Sequence, residues 1–160
     1  TDWKFIIIGS SKLGYNVLST YERNILNNIS LLDKNIEYLG YTPNDLVKKI
    51  MSESAILVIP SIWEEPFGIT AIEGLSNKMA IISSEVGGLT EIVNGKGILI
   101  RDINETKLLK ELEYLMNNPE KIIKYQNLSW KNYLFDQKKI SDFQDDIREK
   151  IFDNFSKNFH

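Results

Sequence analysis

Five short apolar runs, each followed by a helical or turn-forming stretch, constrain this chain more than any other feature. Residues 4–8, 36–40, 55–59, 79–83 and 97–100 are rich in Ile, Val, Leu and Phe and lack strict apolar-polar alternation. Such runs read as buried strands of a parallel sheet. Between them lie helical patterns. Val17, Leu18, Tyr21, Ile25, Ile29 and Leu32 recur at helical spacing over 17–32. Thr42-Pro43 is a favourable cap and first-turn pair for a helix through Met51. A further helix is expected over 69–76 and a short helical turn over 89–93. From Glu105 onward the pattern is helical, broken near Asn117-Asn118-Pro119. Short buried strands alternating with helices mean parallel βαβ units. The expected fold is α/β: a Rossmann-like open parallel sheet with helices on both faces and a helical C-terminal tail. One domain over 1–160 is expected, with an α/β core to about 118 and helices over 119–160. Ligands of such sheets bind beyond the carboxyl ends of the strands. That rule places the loops after Gly9, Gly40, Pro60 and Ser83 around one crevice.

Composition removes several function classes. The 160 residues carry a net charge of -3, without the basic surplus of a nucleic-acid binder. The absence of cysteine excludes thiolate nucleophiles, disulfides and cysteine zinc sites, and is compatible with a reducing, cytoplasmic setting. The single histidine is His160, so a Ser-His-Asp triad or a histidine-rich metal site is not expected. No apolar run approaches the ~20 residues of a membrane helix, and no secretory signal pattern opens the chain. The chain begins with Thr1 rather than Met, which suggests processing or a piece of a longer polypeptide.

The stretch that carries chemistry runs from Pro60 to Gly74: Pro60-Ser61-Ile62-Trp63-Glu64-Glu65-Pro66-Phe67-Gly68-Ile69-Thr70-Ala71-Ile72-Glu73-Gly74. A strand ends, and a loop carries Glu65 to Gly68 at the mouth of a helix. Free backbone N–H groups and the helix dipole make that mouth an anion site, and Gly68 lets a phosphate approach the backbone. Glu73 falls one turn into the helix and faces the same crevice. A carboxylate there suits vicinal hydroxyls, each donating to one oxygen. A phosphate nest flanked by two hydroxyl-reading carboxylates fits a nucleotide sugar. Each acid also has a plainer reading, Glu73 as a solvated helix residue and Glu65 as an N-terminal acid favoured by the dipole. Trp63 and Phe67 have a packing reading. Gly87-Gly88 reads either as a plain turn or as a ligand loop.

Glu65-Pro66-Phe67-Gly68, with seven residues separating Glu65 from Glu73, resembles the paired-glutamate signature of the large retaining glycosyltransferase family that includes sucrose synthases and bacterial mannosyltransferases. Pro60-Ser61 before the motif agrees with that family, as do Gly87-Gly88-Leu89-Thr90-Glu91-Ile92-Val93 and Gly95-Lys96-Gly97-Ile98-Leu99 after it. The resemblance covers residues 3–116, with Ser129-Trp130 a candidate extension. It implies one half of a GT-B fold, the half that binds the donor. Residues 4–9 resemble the second strand of that half. By the resemblance, Glu73 would hold the ribose hydroxyls and Glu65 the hydroxyls of the transferred sugar. The backbone at Phe67, Gly68, Ile69 and Thr70 would meet sugar and pyrophosphate. Backbone near Tyr41 would contact the base, with Gly9, Gly87 and Gly88 lining the crevice. No metal or other cofactor is implied, the nucleotide-diphosphate sugar being a substrate. The implied partner is an N-terminal acceptor-binding domain, and peripheral membrane association of the longer enzyme is left open.

Two departures from the family pattern stand out. The Arg and Lys that grip the diphosphate lie upstream of this segment in the family, so this chain alone is expected to bind donor weakly and transfer nothing. Lys12 is close in sequence to the crevice loops, but nothing matches it to that pair. Lys78 and Ala80 replace a usual Gly and Pro, and Asn77 is the expected left-handed residue ending the motif helix. Two other functions compete: a non-catalytic, regulatory nucleotide-binding module of Rossmann type, and a dinucleotide-dependent dehydrogenase. The second is weakened because Gly9-Ser10-Ser11-Lys12-Leu13-Gly14 lacks the middle glycine that admits a pyrophosphate. In the tail, Ile140, Phe143, Ile147, Ile151 and Phe155 form an apolar stripe suited to packing on this domain or on a partner domain.

Overall fold

The structure, a computed structural model, describes residues 2–10, 18–32, 35–131, 141–142, 144–150 and 152. Its strands and helices alternate, and every strand pair is parallel. The chain forms two compact units, residues 1–50 and 51–160. The strands hydrogen-bond as a two-stranded and a three-stranded sheet, where the apolar runs predict one sheet.

In the first unit, β1 (Phe5–Ile8) pairs with β2 (Ile36–Gly40). The register shifts after Ile7, so that Ile7 faces Tyr38 and Ile8 faces Gly40. The connecting helix α1 (Thr20–Leu32) supplies the crossover that a parallel pair requires. It opens on a capping box: the Ser19 hydroxyl accepts from the Glu22 N–H at 3.2 Å, and Glu22 Oε2 accepts from the Ser19 N–H at 2.6 Å. The apolar spacing predicts a start at Val17, which lies outside the described residues, as do Lys12 and Gly14. The Ser-x-x-Glu pattern marks the observed start. A fully buried β1 is not observed. Phe5, Ile6 and Ile7 remain 36–40% exposed, because β1 pairs on one side only among the described residues. Helix α2 (Asn44–Ser52) follows, and Thr42 does not cap it. The Thr42 hydroxyl turns back to the Gly40 carbonyl at 3.3 Å, and Pro43 accepts the first helical bonds from Leu46 and Val47.

In the second unit the order is β3 (Ile56–Ile59), β4 (Ala80–Ser84), β5 (Ile98–Ile100). Central β4 is buried along its whole length. Ile81 joins Ile59, Ala71 and Leu75 with Leu89, Ile92 and Val93 in one core. Each fully buried Leu or Ile stabilises the unit by about 1.5–3 kcal/mol. Helix α3 (Ile69–Ser76) lies so close to the sheet that a Cβ on Gly74 would collide with Leu57 and sit 3.3 Å from Ile81. Helix α4 (Gly87–Val93) begins two residues before the predicted turn, taking Gly87 and Gly88 into its first turn. Helix α5 (Glu105–Met116) is capped by Asn104, whose side-chain oxygen accepts from the Lys107 N–H at 2.9 Å. Helix α6 (Pro119–Lys131) returns to the sheet, where the buried Ser129 hydroxyl donates to the Met79 carbonyl at 3.0 Å.

Lys78, not Asn77, is the left-handed residue at the end of α3, with φ 56° against -91°. The Met79 N–H bonds the Gly74 carbonyl and the Lys78 N–H bonds the Leu75 carbonyl, which is a Schellman motif. Asn77 caps differently, its side-chain amide donating to the Glu73 carbonyl at 2.8 Å. The Lys78 ammonium sits 4.4 Å from the Trp130 ring centroid. Ser129-Trp130 therefore clamps the junction between α3 and β4. Lys78→Gly is expected to exceed Lys78→Ala in stability by about 1 kcal/mol, since both lose the cation–π contact and only glycine relieves the backbone. Urea unfolding of the two variants measures the difference.

Residues 144–150 of the tail are helical, and Ile147 is 40% exposed. The other members of the apolar stripe, Ile140, Phe143, Ile151 and Phe155, lie outside the described residues, as does His160. Among the described residues no helix is long and apolar enough to cross a membrane.

Candidate functional site

The loop between β3 and α3 is shaped by Gly68 at its end and by Gly87 and Gly88 packed against it. Gly68 is the N-cap of α3 in the left-handed region, at φ 69° and ψ 47°. A Cβ there would lie 2.9 Å from Leu89 Cδ2 and 3.3 Å from Ile92 Cδ1. The space left by its missing side chain is filled by α4, so this glycine serves backbone conformation and packing. Its carbonyl accepts from the N–H groups of Ala71 and Ile72, and no side chain caps the helix. The Ile69 and Thr70 N–H groups thus stand at an uncapped helix start on exposed residues, where the dipole favours an anion.

Gly87 and Gly88 are the seat of the motif loop. A Cβ on Gly87 would collide with the Glu65 carbonyl oxygen and lie 2.9 Å from the Glu65 nitrogen. One on Gly88 would lie 2.9 Å from both Phe67 Cα and the Pro66 oxygen. The Gly88 N–H donates to the Glu65 carbonyl at 2.7 Å. Two backbones thus meet face to face, and the first turn of α4 fixes Glu65, Pro66 and Phe67. Glu85, just before this turn, pairs with Arg101 beyond β5 at 2.9 Å. The hydrogen bond to Glu85, then its charge, raise the Arg101 pKa. The pair ties the ends of two neighbouring strands, though exposed pairs of this kind stabilise little.

Glu65 and Glu73 are half-buried. Neither carboxylate makes a hydrogen bond or ion pair among the described residues. Glu73 contributes its backbone instead, accepting from Ser76 and Asn77 at the end of α3. Trp63 and Phe67 are 67% and 55% exposed.

In the first unit, the Gly9 N–H donates to the Gly40 carbonyl at 3.0 Å, joining the two loops expected to meet the nucleotide. Tyr41, next to that bond, is exposed. Tyr38 lies in the stretch Tyr38-Leu39-Gly40-Tyr41 that resembles the family's base-contacting loop, and its hydroxyl reaches the Gly9 carbonyl at 2.8 Å; Glu22, whose signal is the capping box, has no expected place at the site. The structure therefore brings Gly9 to Gly40-Tyr41 in one unit. In the other it brings residues 65–70 to Gly87 and Gly88, with Glu73 one turn further along α3.

The chain belongs to the glycosyl transferases group 1 family, which matches residues 1–133. It is 36% identical over 121 residues to the Methanocaldococcus jannaschii protein named uncharacterized glycosyltransferase MJ1178, covering 74% of this chain and 32% of that protein. Among solved structures it is similar to Anabaena Alr3699/HepE in complex with UDP-glucose, with a TM-score of 0.73, 17% identity, and coverage of 94% of this chain and 41% of that one. It is also similar to the sucrose-phosphate synthase of Thermosynechococcus elongatus, with a TM-score of 0.72, 21% identity, and coverage of 93% and 38%. The fold is that of one Rossmann-like half of a GT-B glycosyltransferase. The chain spans about a third of the length of MJ1178.

Proposed function

We propose that this chain is the donor-binding half of a retaining glycosyltransferase that uses a nucleotide-diphosphate sugar. One observation carries the reading. Two half-buried carboxylates without partners among the described residues, Glu65 and Glu73, flank an uncapped helix start on a loop locked by Gly68, Gly87 and Gly88. HepE is seen in complex with UDP-glucose, with UDP and glucose, and with UDP, which supports a donor of this chemical class. In this reading Glu73 accepts from the ribose hydroxyls and Glu65 from those of the sugar. The N–H groups of Ile69 and Thr70 face the diphosphate. Donors fixed on developing charge contribute up to about 3 kcal/mol each to transition-state stabilisation. The acceptor is bound by an N-terminal domain of the longer polypeptide, and no metal enters.

The reaction needs no protein base. The bond between the sugar C1 and the diphosphate oxygen breaks, and the acceptor hydroxyl oxygen bonds to C1 on the same face. Its proton passes to the departing phosphate oxygen. Glu65 then positions the sugar rather than moving a proton. Glu65→Gln in the complete polypeptide is expected to lower kcat about 100-fold, the size of effect that follows from misplacing reacting atoms by about 1 Å. Proton NMR of the product is expected to show the anomeric configuration of the donor. An inverted product, or unchanged kcat in the variant, would contradict the reading. Nucleotide binding without any transfer would instead support a regulatory module.

A further inference from the structure

Tyr38, Glu22 and Ser19 converge on the backbone of the Gly9 loop in the first unit. The Tyr38 hydroxyl shares its hydrogen between the Gly9 carbonyl at 2.8 Å and Glu22 Oε1 at 3.1 Å. Glu22 is 3% exposed, and its other oxygen is held by the Ser19 N–H at 2.6 Å. The carboxylate is therefore anchored to the first turn of α1 and cannot follow the tyrosine if the ring shifts. Burial, the hydrogen bond to Glu22 and the charge of Glu22 all raise the Tyr38 pKa, so the hydroxyl stays a neutral donor.

The ring side of Tyr38 reaches the second loop. Gly40 has φ 63°, and a Cβ there would lie 3.7 Å from Tyr38 Cε1. The Gly40 carbonyl accepts from the Gly9 N–H at 3.0 Å and from the Thr42 hydroxyl at 3.3 Å. The Tyr38 side chain thus bonds the Gly9 carbonyl and lies on the side of Gly40 where a Cβ would point, and the two glycine backbones are bonded to each other immediately before exposed Tyr41. A phenylalanine would fill the same place in β2 and pair equally well. The hydroxyl adds nothing to strand pairing; its partners are a loop carbonyl and the acid of the helix cap.

We propose that Tyr38, anchored by Glu22, is a positioning residue of the first unit: it fixes the backbones of Gly9 and Gly40-Tyr41, the surface that this unit offers to the base of a nucleotide. The proposal rests on the donor-binding reading above. It is tested in the complete polypeptide with wild type, Tyr38→Phe and Glu22→Gln, using UDP, GDP and ADP as probes and donor and acceptor kinetics as readout. Tyr38→Phe is expected to weaken the preferred diphosphate and raise the donor KM about threefold to tenfold, the range for one lost hydrogen bond. kcat at saturating donor and the acceptor KM stay unchanged, and the preference among the three bases narrows. Glu22→Gln, which keeps an acceptor for the hydroxyl, is expected to have the smaller effect. Two results would overturn the proposal: an unchanged donor KM in Tyr38→Phe, or a general loosening in which both KM values rise and kcat falls. If the wild type binds none of the three diphosphates, the donor reading falls and takes this proposal with it. If the wild type binds and Tyr38→Phe is indifferent, only the role of Tyr38 falls.

Discussion

Gly87→Ala is expected to destabilise the second unit by about 2–4 kcal/mol and to weaken nucleotide binding with it. The new methyl group would collide with the Glu65 carbonyl oxygen and sit 2.9 Å from the Glu65 nitrogen. Both are backbone atoms, and the loop cannot retreat while the Gly88 N–H holds the Glu65 carbonyl at 2.7 Å. Gly87 also has φ 45°, where alanine is disfavoured. Gly88→Ala meets Phe67 Cα and the Pro66 oxygen at 2.9 Å but carries no left-handed penalty, so its effect should be smaller. Gly95→Ala is the control. It has φ 71° with nothing within 4 Å of the added Cβ, so only the backbone term remains, about 1–2 kcal/mol. Urea unfolding of the three variants, paired with diphosphate titrations, should give losses in the order 87, 88, 95 for binding. Equal binding by all three would show that the seat does not position the motif loop.

Glu73→Ala is expected to cost about 10- to 100-fold in diphosphate affinity, the range for hydrogen bonds made to a charged group. Its carboxylate has no partner among the described residues. Stability should therefore change by less than about 0.5 kcal/mol, as for ordinary surface substitutions. A ligand cycle identifies the group being read. The 2′-deoxy diphosphate should bind the wild type more weakly, and removing Glu73 should then cost less for that ligand than for the ribose form. Equal losses for both ligands would detach Glu73 from the ribose.

Much of the fold is legible in the residue order because apolar runs and helical spacing are local signals. Residues 36–40 and 69–76 are bounded as the pattern predicts, and the other strands to within about a residue. Glu65 and Glu73 are legible as candidates because loop, helix mouth and spacing lie in one stretch. What escaped depends on tertiary contact. Gly87 and Gly88 read equally as turn or ligand loop because their need for glycine arises from the backbone of residues 65–67, distant in sequence. Gly68 reads as a residue that lets a phosphate approach the backbone, and the packing of Leu89 and Ile92 against it is a second demand for glycine that only the tertiary structure reveals. Lys78 adopts the left-handed conformation that its own type disfavours, held by the Schellman bonds and by Trp130. Exposure of β1 is invisible in an apolar run, since it depends on which edges are paired.

In the reading proposed above, the Glu65 to Glu73 segment binds the nucleotide of a sugar donor. Calorimetric titration of the complete polypeptide with UDP, GDP, ADP and NADH tests it most directly. Saturable binding of one nucleoside diphosphate, lost or greatly weakened in Glu73→Ala, with no binding of NADH, is the expected result. Preferential binding of NADH, or binding of a diphosphate that is indifferent to Glu73, would contradict it.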